Sequence, residues 1–120
     1  GMTRIRTTVI ESRGAILSMR HELDGDGTIV MKTDGDGHVD AAQLRESAIG
    51  ALMDHPDAGM TIDLTGGGRL DAATLAVITQ CWLATSERER DLTVIPGDPG
   101  DRPVLERLGL DEFYRVADAG

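Results

Sequence analysis

The run Met60-Thr-Ile-Asp-Leu64, Thr65-Gly-Gly-Gly-Arg-Leu70, Asp71-Ala-Ala-Thr-Leu75 constrains the fold more than any other part of the chain. Its apolar alternation predicts a strand over residues 60–64, and the glycines predict a change of direction. Asp71 then has the side chain of an N-cap, opening a helix that the apolar pattern carries to about Ser86. Strands joined by single helices of this length imply right-handed crossovers and a largely parallel sheet.

The rest of the chain repeats that order around it. Leu17, Met19, His21 and Leu23 alternate with polar residues, Asp24-Gly-Asp-Gly27 tolerates positive φ, and Thr28 to Thr33 is again extended, which together predict an antiparallel hairpin. Asp40 predicts the cap of a first helix, with Ala41, Leu44, Ala48 and Leu52 at helical spacing and His55-Pro56-Asp57 as its end. Beyond the second helix, Leu92 to Ile95 reads as a strand stopped by Pro96-Gly97. Asp101 and Pro103 mark a third helix, with Val104, Leu105 and Leu108 as its apolar stripe and Gly109 as its C-terminal cap. Phe113 to Val116 reads either as a last short strand or as a turn of helix. The expected class is thus α/β, with a mixed, largely parallel sheet, an N-terminal antiparallel hairpin and three to four helices.

One domain is expected, because 120 residues and 12.8 kDa suffice for one core and not two. Residues 15–120 are assigned to it, and residues 1–14 to an N-terminal arm or edge strand, with Thr3 to Ile10 as the strand candidate. Gly1 ahead of Met2 reads as a cloning remnant. No internal repeat and no low-complexity linker is found.

A formal charge of −9 and a pI near 4.6 repel phosphate backbones and anionic lipid surfaces, so nucleic acid is an unfavourable partner. No apolar run is long enough for membrane insertion or a signal sequence, and a cytoplasmic location is expected. Cys81 is the sole cysteine, which excludes an internal disulfide and a thiolate metal cluster. Asp34-Gly-Asp36-Gly-His38-Val-Asp40 begins like a calcium loop, but Val39 stands where glycine is required and Arg45 where a glutamate would close the shell. His21, His38 and His55 lack metal-ligand spacing, and no nucleophile-histidine-acid set occurs. The expectation is no enzyme, no cofactor and no metal. Gly66-Gly-Gly-Arg69 lacks the spacing and the Lys-Ser/Thr of a phosphate loop and reads as a flexible connector.

Four local patterns occur in a telling order. They are Gly37-His38-Val39-Asp40 before the first helix, Ile62-Asp63-Leu64 in a central strand, Asp71-Ala-Ala-Thr74 at the second helix, and Leu105-Glu-Arg-Leu-Gly-Leu-Asp-Glu-Phe113. Together, over roughly residues 16–118, they resemble the STAS domain of anti-sigma-factor antagonists. His38 departs from that family's glutamate. In the family, the third pattern reads Asp-Ser-Ser-Gly, and its second serine is phosphorylated by a partner kinase. The resemblance puts Ala73 at the phosphoacceptor position, where no hydroxyl exists to modify. Thr74, one residue on, is either a displaced acceptor or a support for the helix start.

Phosphate at the first turn of a helix is tolerated by the backbone N–H groups there, yet adds charge and bulk to a docking surface, so phosphorylation can break a complex without unfolding the domain. The resemblance implies a partner surface made of His38, Asp40, Asp71, Ala72, Ala73, Thr74 and Leu75, binding a kinase-type anti-sigma factor. Independently of it, Ala72, Ala73, Leu75, Ala76, Val77 and Ile78 make the start of the second helix apolar nearly all round. Such a helix is packed on two sides or faces a partner. Two other readings stay open. One is a non-switching scaffold subunit of a transporter or lipid-transport assembly. The other is small-ligand or anion binding at the loop from Gly66 to Thr74. A homodimer through the hairpin edge or the arm is also left open.

Overall fold

The computed structural model describes residues 19–33 and 37–117. The first two strands are set by their turn. One oxygen of the Asp24 carboxylate accepts the N–H groups of Asp26 at 2.8 Å and Thr28 at 3.0 Å, and Gly27 supplies the left-handed residue, with φ +82°. Strand β1 (Met19–Leu23) thereby runs antiparallel to β2 (Ile29–Thr33), with Leu23 opposite Ile29 and Met19 opposite Thr33.

The chain continues through α1 (Ala41–Asp54), β3 (Met60–Asp63), α2 (Ala72–Glu87), β4 (Leu92–Ile95), α3 (Asp101–Arg107), a 3-10 turn (Leu110–Glu112) and β5 (Arg115–Val116). The sheet order is β1-β2-β3-β4-β5, and every pair after the first is parallel. Each crossover advances by one strand in the same direction. Right-handed connections therefore place the crossover helices over one face of the sheet.

The period-2 pattern decides which side is dry. Ile29 and Met31, Met60 and Ile62, Leu92 and Val94, and Val116 are all buried, together with Leu44, Ala48 and Ala51 of α1, Val77, Ile78 and Cys81 of α2, and Leu105 of α3. On the other side of the pleat, Val30, Lys32, Thr61, Asp63 and Thr93 are only half-buried.

The expected class and element order hold, with local differences. Helix α3 stops at Arg107, so Leu108 is its C-cap and lies exposed instead of extending the apolar stripe, and Gly109 turns the chain at φ +76°. The tail from Phe113 to Val116 divides, because only Arg115 and Val116 reach β4 and pair with it. Phe113 stays half-exposed beside the Trp82 ring, with centroids 5.0 Å apart at 54°. Leu17 and the expected strand at Thr3 to Ile10 lie outside the described residues, as do Asp34 and Asp36.

Candidate functional site

Because β2, β3 and β4 are parallel, their carboxyl ends lie at one end of the sheet, and α1 and α2 both start there. Asp40 caps α1, accepting the Ala42 N–H at 3.3 Å, and Asp71 caps α2, accepting the Thr74 N–H at 2.8 Å. The backbone N–H and the hydroxyl of Thr74 hold the Asp71 carboxyl below its ordinary pKa, against a smaller opposing effect of desolvation, and His38 adds a further Coulombic pull in the same direction. The fold thus brings His38, from the β2–α1 loop, within electrostatic reach of the α2 cap.

The side chains at that end divide cleanly. Asp71, Ala72, Ala73 and Ala76 are exposed, Leu75 is half-buried, and Val77, Ile78 and Cys81 enter the core. The nearly all-round apolar pattern of α2 therefore separates into a buried aliphatic face and an exposed face that begins with alanines. Thr74 lies on the inner face. It is only 2% exposed, with its hydroxyl drawn to the Asp71 carboxylate, so it does not face solvent as Ala73 does. The one-residue step rotates its side chain by about 100° around the helix, away from solvent.

The glycine loop departs from the expectation of a flexible connector. Gly67 N–H donates to the Leu64 carbonyl at 2.8 Å, Gly37 N–H donates to the Gly66 carbonyl at 2.9 Å, and the Thr33 hydroxyl donates to the Thr65 carbonyl. Leu70 N–H donates to the Asp101 carboxylate at 2.9 Å. Arg69 sits between two acids, its Nε 3.7 Å from Asp101 and 3.9 Å from Asp98. Three glycines leave the segment free in isolation, and hydrogen bonds to distant parts of the chain fix it. Arg69 belongs to the loop already singled out in the sequence, but Asp98 and Asp101 were not recognisable as parts of this end, since Asp101 reads locally as a helix start.

Two open clefts of about 550 and 630 Å³ lie at the other end of the sheet. Trp82, Phe113, Tyr114 and Arg115 line the first, and Asp24, Asp57, Asp91 and Arg115 line the second. Neither includes a residue of the loop from Gly66 to Thr74. Among the described residues, no three His, Cys, Asp or Glu side chains converge as a metal site, and no helix is long and apolar enough to cross a membrane.

A five-stranded, mostly parallel sheet with its first pair antiparallel, together with three α-helices, matches the STAS fold. No family model and no curated protein matches the chain by sequence. Solved structures match it in three dimensions. An anti-sigma factor antagonist from Mycobacterium paratuberculosis is similar with a TM-score of 0.67 at 21% identity, over 83% of this chain and 84% of that one. The Bacillus cell fate determinant SpoIIAA in its phosphorylated form gives a TM-score of 0.65 at 15% identity, covering 85% and 91%. An anti-sigma-factor antagonist (STAS) domain protein from Planctomyces limnophilus gives 0.60 at 15% identity, covering 88% and 92%. The likeness establishes the fold, and the site residues must carry any argument about function.

Proposed function

We propose that the protein is a regulatory interaction domain of the anti-sigma-factor-antagonist kind, not an enzyme. It docks through the end of the sheet where Asp71, Ala72 and Ala73 open α2, with His38, Asp40 and Leu75 beside them. The partner is a kinase-type anti-sigma factor, and binding is constitutive with respect to residue 73. The observation that carries this reading is the pairing of an exposed Ala73 with a buried Thr74 at the α2 cap. The first has no hydroxyl, and the second has one that faces inward. A phosphate therefore has no ready acceptor at the place where it would repel a partner.

The test is affinity capture of the tagged protein from its own cells, beside an Ala73→Asp variant that puts a permanent negative charge at that position. Recovery of an ATP-binding anti-sigma kinase by the unsubstituted protein, its loss with Ala73→Asp, and an unmodified mass for the recovered chain are expected. Transporter or lipid-transport subunits in place of the kinase would overturn the reading in favour of a scaffold role. A phosphate on the recovered chain would overturn its constitutive character.

A further inference from the structure

The loop joining β3 to α2 is held by a residue far away in sequence. Asp101 is the first residue of α3, and a carboxylate there has a ready local use, since the N-terminus of a helix favours negative charge. Its geometry shows a second use. The residue is only 3% exposed, and its Oδ2 accepts the Leu70 N–H, 31 positions back in the chain. Leu70 immediately precedes Asp71, the α2 cap. The neighbouring backbone is pressed against the same loop, because a Cβ on Gly97 would lie 2.4 Å from the Leu64 carbonyl oxygen, 3.0 Å from that of Gly68 and 3.1 Å from Gly67 N. Residues 97–101 and 64–70 are thus packed backbone to backbone, with one buried ionic acceptor between them.

We propose that Asp101 is a positioning residue for the surface around Asp71, clamping through the Leu70 amide the loop that carries the α2 cap. The clamp is the hydrogen bond to the buried carboxylate. Hydrogen bonds to an ionised acceptor are roughly twice as strong as neutral ones. The ion pairs of Arg69 with Asp98 and Asp101 contribute less, since the Arg69 side chain is largely in solvent and its nitrogen stands 3.7 to 3.9 Å from the acids. What Asp101 sets is the entry of the chain into α2, and with it the place of the Asp71 carboxylate and of the exposed alanines behind it. The bearing of this clamp on docking rests on the function proposed above, whereas the clamp itself does not.

The experiment is native-state amide hydrogen exchange by NMR on the full chain, comparing the unsubstituted protein with Asp101→Asn and Asp101→Ser. In Asp101→Ser the amides of Leu70 and Thr74 are expected to exchange about tenfold faster relative to those of Ile62 and Val94, which report global opening. Asp101→Asn keeps the shape and an uncharged acceptor and should show a smaller relative change of the same sign. It also supplies the comparison if the serine variant does not fold. A second readout is the titration of the Asp71 carboxyl. Its midpoint should move up in both variants, towards the ordinary carboxylate value, as the Thr74 contacts loosen. Equal acceleration at all four amides would reduce Asp101 to general stabilisation and overturn the proposal. Unchanged exchange at Leu70 and Thr74, or an unmoved Asp71 titration, would overturn it too. No partner is needed, so failure here leaves the docking reading standing, and failure of the capture experiment leaves the clamp standing.

Discussion

Glycine-to-alanine exchange at Gly50 and at Gly97 is one chemical change made in two environments, and the structure requires opposite outcomes. Alanine restricts the unfolded chain, which alone favours the folded state by about 0.4–1 kcal/mol where the native backbone accepts it. Gly50 is exposed inside α1, and a Cβ there meets nothing within 4 Å. Helix propensity then leaves a net gain of roughly 0.5–1 kcal/mol, or about 2–4 °C in midpoint for a chain of this size. At Gly97 the new carbon would stand 2.4 Å from the Leu64 carbonyl oxygen, a backbone atom that cannot swing aside. Leu64 is tied to Ile95 by a 2.9 Å hydrogen bond, so separating the loops strains the ends of β3 and β4 together. Overpacking of this kind costs about 1–3 kcal/mol, which outweighs the unfolded-state gain and leaves a net loss of roughly 1–2 kcal/mol, about 4–8 °C. Thermal and urea unfolding followed by far-ultraviolet circular dichroism measures both. A Gly97→Ala protein as stable as the parent, or a Gly50→Ala protein less stable than it, would refute the reasoning.

The Tyr114 hydroxyl is buried and has no hydrogen-bond partner among the described residues, and burial also pushes its pKa up. Removing it in Tyr114→Phe sheds a desolvated polar group, so the variant should match or exceed the parent by up to about 1 kcal/mol in urea unfolding, and a clear loss would mean that the hydroxyl is satisfied in solution. Burial pushes the Cys81 thiol up to about 11, from an ordinary 9.0. The unfolded chain therefore releases this proton first, and the thiol's contribution to stability is intact below pH 9 and is lost as the pH rises from about 9 to 11. The fall in unfolding midpoint over that window should be shallower in Cys81→Ala than in the parent, and labelling of the native thiol by a maleimide at pH 7 should proceed only as fast as the protein opens.

The local architecture was legible because its causes are local. Asp40 and Asp71 were recognisable as caps from side-chain type and position, and both accept the amides that such caps accept. Asp24-Gly-Asp-Gly27 announced its turn in the same way. Legibility ended where a residue has both a local and a distant use. Asp101 marks the start of α3 and also binds Leu70, and only the first use has a signature within its own neighbours. Leu108 fitted an apolar stripe that the helix does not live long enough to use.

The sequence by itself determined which segments become strands and helices as far as α3, their order, and the absence of a hydroxyl at residue 73, because each depends on residues a few positions apart or on side-chain identity alone. Tertiary structure decided that Thr74 faces the core while Ala73 faces solvent, that His38 stands near enough to Asp71 to favour its charge, and that a loop of three glycines is fixed. Those outcomes depend on which strands are neighbours and in what register. A one-step order of parallel strands carries residues 37, 66, 70, 97 and 101 to the same end of the sheet, and nothing in their spacing along the chain expresses that proximity.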